Sequence, residues 1–284
     1  MNKIRMIIKI CLYELKIQIH SKRVVLGYLV GIVVVLKQAM AYILYANEVG
    51  MSVNVLESFI ITGNNYNTIM FMVLGWLFII SEAPFVNNNS VFLIHRTDKK
   101  SWNQGMISYI VFQGLCYYAL IALTCIVISI PIGYLANIWS NALVNLSSGA
   151  YEIYAVDVYF PHQSFMKEIS VFGAFGVTWS LCFLYGISLA MILYVFNLFS
   201  NQIWGVIMTF FFHFLNYEMM KEGYMVMIKY SLLARSVPVF LIGNDLGVTI
   251  GQSYGLFILL IAGLIIISNR FIQYVDYKEL AIGE

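Results

Sequence analysis

The residues of this chain best suited to chemistry gather in one short stretch, Glu82 to Gly105, where Glu82, Ser90, Arg96, Lys99 and Lys100 stand among the apolar Phe92, Ile94 and Trp102. That mixture suits recognition of another protein more than bond breaking. Ser90 can cap a short helix whose apolar face is Val91, Phe92 and Ile94, and Arg96, Lys99 and Lys100 can pair with acids on a partner. The competing reading is an ordinary loop whose charges only fix membrane orientation. Groups for catalysis are scarce elsewhere. No glycine is followed by lysine, so the chain has no G-x-x-x-x-G-K-[ST] loop to cradle phosphates. No G-x-S-x-G or H-E-x-x-H motif and no paired carboxylate falls within an apolar run. Cys11, Cys116, Cys125 and Cys182 are dispersed, as are His20, His95, His162 and His213, which predicts small apolar thiols and neither a disulfide framework nor a metal site.

The elements that must position the basic stretch follow from composition. Of 284 residues 61% are hydrophobic and 11% charged, with a mean hydropathy of +0.82, whereas soluble domains carry roughly 25% charged residues. So few charges cannot cover a soluble surface of this size, and the expected fold is an all-α polytopic membrane protein. A transmembrane helix needs roughly 20 apolar residues. Runs of that kind appear at 24–46, 66–86, 105–136, 169–199, 202–217 and 253–273, the fifth being the shortest. Ahead of them, Ile4, Ile7, Ile8, Cys11, Leu12, Leu15 and Ile19 recur at steps of three and four, while Lys3, Arg5, Lys9, Glu14 and Lys16 fall off that stripe. Residues 1–23 therefore read as an amphipathic elbow helix at the inner leaflet. A signal peptide is excluded by the charges that interrupt any apolar h-region.

Eleven Lys and Arg fall in the segments assigned inside and four in those assigned outside, which puts both termini in the cytoplasm. The outer loop at 47–65 holds Glu48 and Glu57 and no basic residue. Segments 137–168 and 218–252 are extracytoplasmic on this reading. The first is a small cap, and the second, apolar but broken by Lys229, Arg235, Pro238, Gly243 and Asp245, folds as short outer helices or a re-entrant hairpin between spans five and six. No second domain interrupts residues 1–284.

Isolated polar residues inside the runs are the remaining candidates. Lys37 sits about 20 Å along the first span, a depth that costs ~2.5 to 3.5 kcal/mol for a charge. It either faces a cavity or snorkels to the outer headgroups. His213 and Asn216, beside Phe210, either line an exit route or are satisfied packing residues, and Trp76 belongs to the same candidate path. The 20 Tyr, 20 Phe and 14 Met suit a wide apolar vestibule as well as a lipid-facing surface.

The run from Glu82 through Phe92-Leu-Ile-His-Arg96-Thr-Asp-Lys99-Lys100-Ser-Trp102-Asn-Gln-Gly105 resembles the loop after the second span in type-2 ATP-binding-cassette exporter permeases. The basic entry helix, the six spans and the Asn197-Leu-Phe-Ser-Asn201 hinge are similar too, whereas Asn87-Asn-Asn-Ser90 departs from the glycine-threonine turn of many relatives. Leu146-Ser-Ser-Gly149 is only superficially like a cassette signature, since no nucleotide domain surrounds it. The resemblance implies a permease subunit of the small bacterial kind that exports toxin or bacteriocin-like amphipathic peptides, with residues 87–104 as its coupling loop. It implies a bacterial plasma-membrane location, a second permease copy or sister permease, and two separate ATPase subunits that bind ATP and Mg. This chain would then hold no cofactor, bind no nucleic acid and not be an enzyme. Export of hydrophobic drugs or lipids is the nearest alternative, and a membrane-embedded lipid enzyme or a toxin-sequestering immunity protein lies further off.

Overall fold

A computed structural model describes residues 3–85, 97–150, 163–199, 202–221, 228–242 and 247–274. The protein is helical, as its composition requires. In chain order the elements are α1 (Lys3–Gln18), α2 (Lys22–Glu48), β1 (Val53–Asn54), α3 (Glu57–Asn64), α4 (Tyr66–Ile80), α5 (Lys99–Ser129), β2 (Gly133–Tyr134), α6 (Asn141–Asn145), α7 (Gln163–Glu168), α8 (Val171–Phe199), α9 (Gln202–Lys221), α10 (Pro238–Leu241) and α11 (Ile250–Phe271). Among the described residues, four helices are long and apolar enough to cross a membrane: α2, α5 with its 3-10 extension to Ile132, α8 and α11.

The apolar run expected at 66–86 is shorter than that as a helix. Alone, α4 has 15 residues, or about 22 Å, against a hydrocarbon core of about 30 Å. The 8-residue α3 continues it in the opposite direction to α5: Ser58 bonds Ser129, Thr62 reaches Cys125, and Met72 accepts from Tyr117. Together the two rods span about 36 Å at 1.5 Å per residue. The break falls at Gly63-Asn64-Asn65, where glycine and asparagine disfavour a helix interior. Asn65 is extended (φ −97°, ψ 110°) and its side chain accepts from the amides of Asn67 and Thr68, capping α4. Asn64 serves the other half, donating to Ile60 O (2.8 Å) and accepting from the Val239 amide (2.9 Å). All eight α3 residues are buried. The outer loop expected at 47–65 is thus in large part an element of the core.

Helices α2 and α4 share the broadest contact, and glycine permits it. A Cβ on Gly27 would lie 2.6 Å from Gly75 O, and one on Gly75 would lie 2.7 Å from Gly27 O. Small residues allow such backbone approach between apolar helices, where dispersion is the main attraction. Around this seam Trp76, Tyr117, Tyr118 and Tyr185 are fully buried.

The first and last described turns, at Lys3 and Gln273, lie at one end of the bundle. Lys3 stands near Asp98, and Lys99 Nζ donates to Gln273 O (3.3 Å). At the opposite end β1 and β2 form a two-residue parallel ladder, Val53 with Gly133 and Asn54 with Tyr134. Between α9 and α11 lie a 3-10 turn at Ala234–Ser236 and the short α10, matching the expected short helices in 218–252.

Helix α1 runs alongside the first turns of α5. Ile10 packs where a Cβ on Gly105 would lie 2.6 Å away, and Cys11 and Glu14 are neighbours of Tyr109. The face turned inward is Ile10, Cys11, Glu14 and Gln18. Of the expected apolar stripe, Ile4, Ile8, Leu12 and Ile19 are exposed, whereas Ile7 and Leu15 are half-buried and Cys11 faces inward.

Candidate functional site

The residues expected to couple the chain to a partner divide into two groups. Ser90, Phe92, Ile94 and Arg96 lie outside the described residues, and Glu82, Lys99, Lys100 and Trp102 lie within them. Lys99, Lys100 and Trp102 occupy the first turn of α5 and so belong to that helix rather than to a separate loop. Asp98 begins it: its carboxylate accepts from Ser101 N (3.1 Å), and the Ser101 side chain chiefly, with this amide adding less, holds its pKa below the ordinary carboxylate range. Trp102 is fully buried and Lys100 exposed.

The root of the basic stretch, Ser81–Phe85, is gripped from three helices. From α2, Arg23 forms an ion pair with Glu82 and lies over the Phe85 ring, 5.3 Å from its centroid. Arg23 also donates to Gln18 Oε1 (2.9 Å). From α5, Tyr109 meets Phe85 edge to face at 5.3 Å. From α8, Asn197 Nδ2 donates to Ser81 O (3.2 Å) and Ala83 O (2.6 Å). Asn197 is the first residue of the hinge picked out in the sequence, and it lies against Gly205 of α9, where a Cβ would clash with its side chain. A displacement applied to the chain after Phe85 would therefore reach α2, α5, α8 and α9 through direct contacts.

The proposed path residues sit elsewhere. Lys37 is exposed on α2 in a row with Val33, Met40 and Leu44, which are exposed too. Trp76 is fully buried and donates to Gly186 O (2.9 Å). His213 is buried, with Nε2 on Met70 O (3.0 Å) and Nδ1 on the Tyr185 hydroxyl (2.8 Å). Since a carbonyl only accepts, Nε2 carries the proton and the Tyr185 hydroxyl donates to Nδ1. Asn216 bonds Phe212 O and the Leu232 amide. Phe210 is half-buried against Phe78, 5.9 Å between ring centroids. Trp76, His213 and Asn216 thus spend their polar atoms inside the bundle.

Two acids escaped the sequence reading. Glu57 is fully buried at the end of the bundle that carries β1 and β2. Its Oε2 accepts from Tyr42 OH (2.7 Å), Asn54 N (3.0 Å) and Ser140 Oγ (2.6 Å), and its Oε1 accepts from Ser140 N (2.6 Å). This carboxylate ties α2, α3 and the start of α6 together. A cavity of about 400 Å³ opens beside the network, lined by Gly50, Met51, Ser52, Tyr134, Ile138, Trp139 and Asn141. Glu14, on the face of α1 turned into the bundle, is also fully buried, yet among the described residues neither of its oxygens has a hydrogen-bond partner. A signal was available for both. Ile10, Glu14 and Gln18 repeat every four residues as a stripe beside the apolar one, and Glu57 opens the run Ser-Phe-Ile-Ile.

Comparison with known protein families, with curated proteins and with solved structures finds no match to this chain.

Proposed function

We propose that this chain is the membrane permease subunit of an ATP-driven exporter, moved by separate ATPase subunits that dock on the basic stretch after Phe85. The observation that carries the reading is the three-helix grip on Ser81–Phe85. An ordinary topological loop needs no such root, whereas a segment that receives work must be rigidly joined to what it moves. On this reading the chain crosses the membrane six times: α2, the broken rod α3 with α4, α5, α8, α9 and α11. Both termini and the basic stretch face the cytoplasm of a bacterial cell.

The filled interior favours a path formed between two permease copies rather than through one. Trp76, Tyr117, Tyr185 and Tyr194 are fully buried and hydrogen-bonded, so cargo crossing a single copy would strand their polar atoms, at about 1–3 kcal/mol each. Closure of two ATPases on ATP and Mg would draw the two stretches together and switch the path between inward and outward exposure. Amphipathic peptide is the cargo class that a sheath of exposed aromatic and aliphatic side chains suits best.

The test is a tagged copy expressed in its native background. An ATPase subunit should co-purify with it, be lost with Phe92→Asp and Arg96→Glu, and show peptide-stimulated hydrolysis in vesicles. A chain that moves cargo without nucleotide would overturn the reading. Co-purification unchanged by both substitutions would overturn the assigned docking segment.

A further inference from the structure

The inner face of α1 holds a carboxyl group that no described residue supports as a charge. Glu14 is 0% exposed, and among the described residues neither Oε atom has a hydrogen-bond partner. Its surroundings explain why. On its own helix it is flanked by Ile10, by the Cys11 thiol and by Gln18, with Lys16 on the exposed side. From α5 it is faced by Tyr109, whose buried hydroxyl is likewise without a partner. Tyr28 and Arg23 of α2 border the same hydroxyl. Arg23 is the nearby cation, but its two terminal nitrogens are directed at Glu82 and Gln18 and its plane at the Phe85 ring, and its buried Nε, which has no hydrogen-bond partner among the described residues, makes no bond to Glu14. A carboxylate in that position would lack water, a hydrogen-bond donor and a counterion, and a buried group so placed takes up a proton instead.

We infer that Glu14 is a proton-binding site, neutral while α1 is seated on α5, whose ionisation unseats α1. The proton is the ligand, and the seat of α1 is what it controls. Seating is tight at Gly105, where Ile10 fills the space a side chain would need. Met6 and Leu15 also pack against the core beside that face, so the cost of burying the charge must outweigh their contact to unseat α1. Burial pushes the Glu14 carboxyl up to about 7 from an ordinary 4.5, so the switch falls near neutral pH. Released α1 frees Gln18 from Arg23, one residue from the Ser81–Phe85 root by way of Glu82. The inference concerns α1 and α5 alone and holds whether or not the chain is a permease.

Cys11 is a built-in reporter, buried in the same interface. In the full chain in lipid nanodiscs without any ATPase, N-ethylmaleimide labelling of Cys11 is followed between about pH 5.5 and about pH 8.5, each rate divided by that of Cys11 in the SDS-unfolded chain at the same pH. The ratio cancels the thiolate's own pH dependence. It should rise at least about tenfold, because the seated form binds the Glu14 proton more tightly than the released form does. In Glu14→Gln, which keeps the neutral shape, the ratio should stay flat. Infrared difference spectra should show a protonated-carboxyl C=O band at the acid end in the wild type, absent from Glu14→Gln. A flat wild-type ratio, or no such band, overturns the inference, and the wild-type titration decides it even if the variant fails to fold.

Discussion

Replacing Glu57 by leucine should unfasten the end of the bundle that carries β1 and β2 by an amount the hydrogen bonds fix in advance. Four donors converge on this carboxylate: Tyr42 OH, Asn54 N, Ser140 N and Ser140 Oγ. Leucine fills most of the volume and accepts nothing. Tyr42 OH and Ser140 Oγ stand 3.0 Å apart and can satisfy each other, so the two amides are the groups left stranded. Each buried unsatisfied donor costs about 1–3 kcal/mol, which puts Glu57→Leu at about 4 kcal/mol. Glu57→Gln keeps one carbonyl oxygen but turns an NH2 toward a donor, and should cost about 2 kcal/mol. Glu48→Leu, nine residues earlier and exposed, is the control, at no more than about 0.5 kcal/mol. Unfolding titrations with SDS in mixed micelles measure all three. If Glu57→Leu fell within about 1 kcal/mol of Glu48→Leu, the carboxylate would not be the hub described, and the buried placement of α3 would be in question.

The same titrations test further points. Because the folded chain holds the Glu14 proton more tightly than the unfolded one, stability should be highest below about pH 4.5, fall through the window up to about 7, and level off above it. The total is about 3 kcal/mol, and Glu14→Gln should remove the slope. Glu82→Gln should change stability by less than about 1 kcal/mol, because the carboxylate is mostly exposed (62%). In a reconstituted exporter it should nevertheless reduce cargo-stimulated ATP hydrolysis, and equal hydrolysis would remove Glu82 from the coupling route. Gly75→Leu should prevent stable folding altogether, since its side chain would run into the α2 backbone at Gly27; a monodisperse variant with wild-type stability would contradict the close α2–α4 seam.

How legible the molecule was depended on whether a feature lives on one helix or between several. The long apolar runs at 24–46, 105–136, 169–199 and 253–273 needed only hydropathy, and the helices found there follow from satisfying backbone polar groups without water. The apolar stripe of α1 was likewise readable, because a period of 3.6 fixes which residues share a face. Hydropathy could not say that 57–64 belongs to the core, because Thr62-Gly-Asn-Asn65 has the composition of a loop tip. Only the donors and acceptors that Thr178, Val239 and the Asn64 and Asn65 side chains bring together make that break acceptable inside a bundle.

The sequence by itself determined that the chain is a helical membrane protein, where most of its long apolar helices lie, and that its basic residues gather at 1–23 and 96–100, since these rest on local composition and period. Tertiary structure alone decided the fate of single polar groups. Trp76, His213 and Asn216 became packing residues, Lys37 stayed exposed, Glu57 acquired four donors and Glu14 none. A charge or a hydrogen bond takes its meaning from groups distant in sequence, and which groups those are is set only when the helices pack.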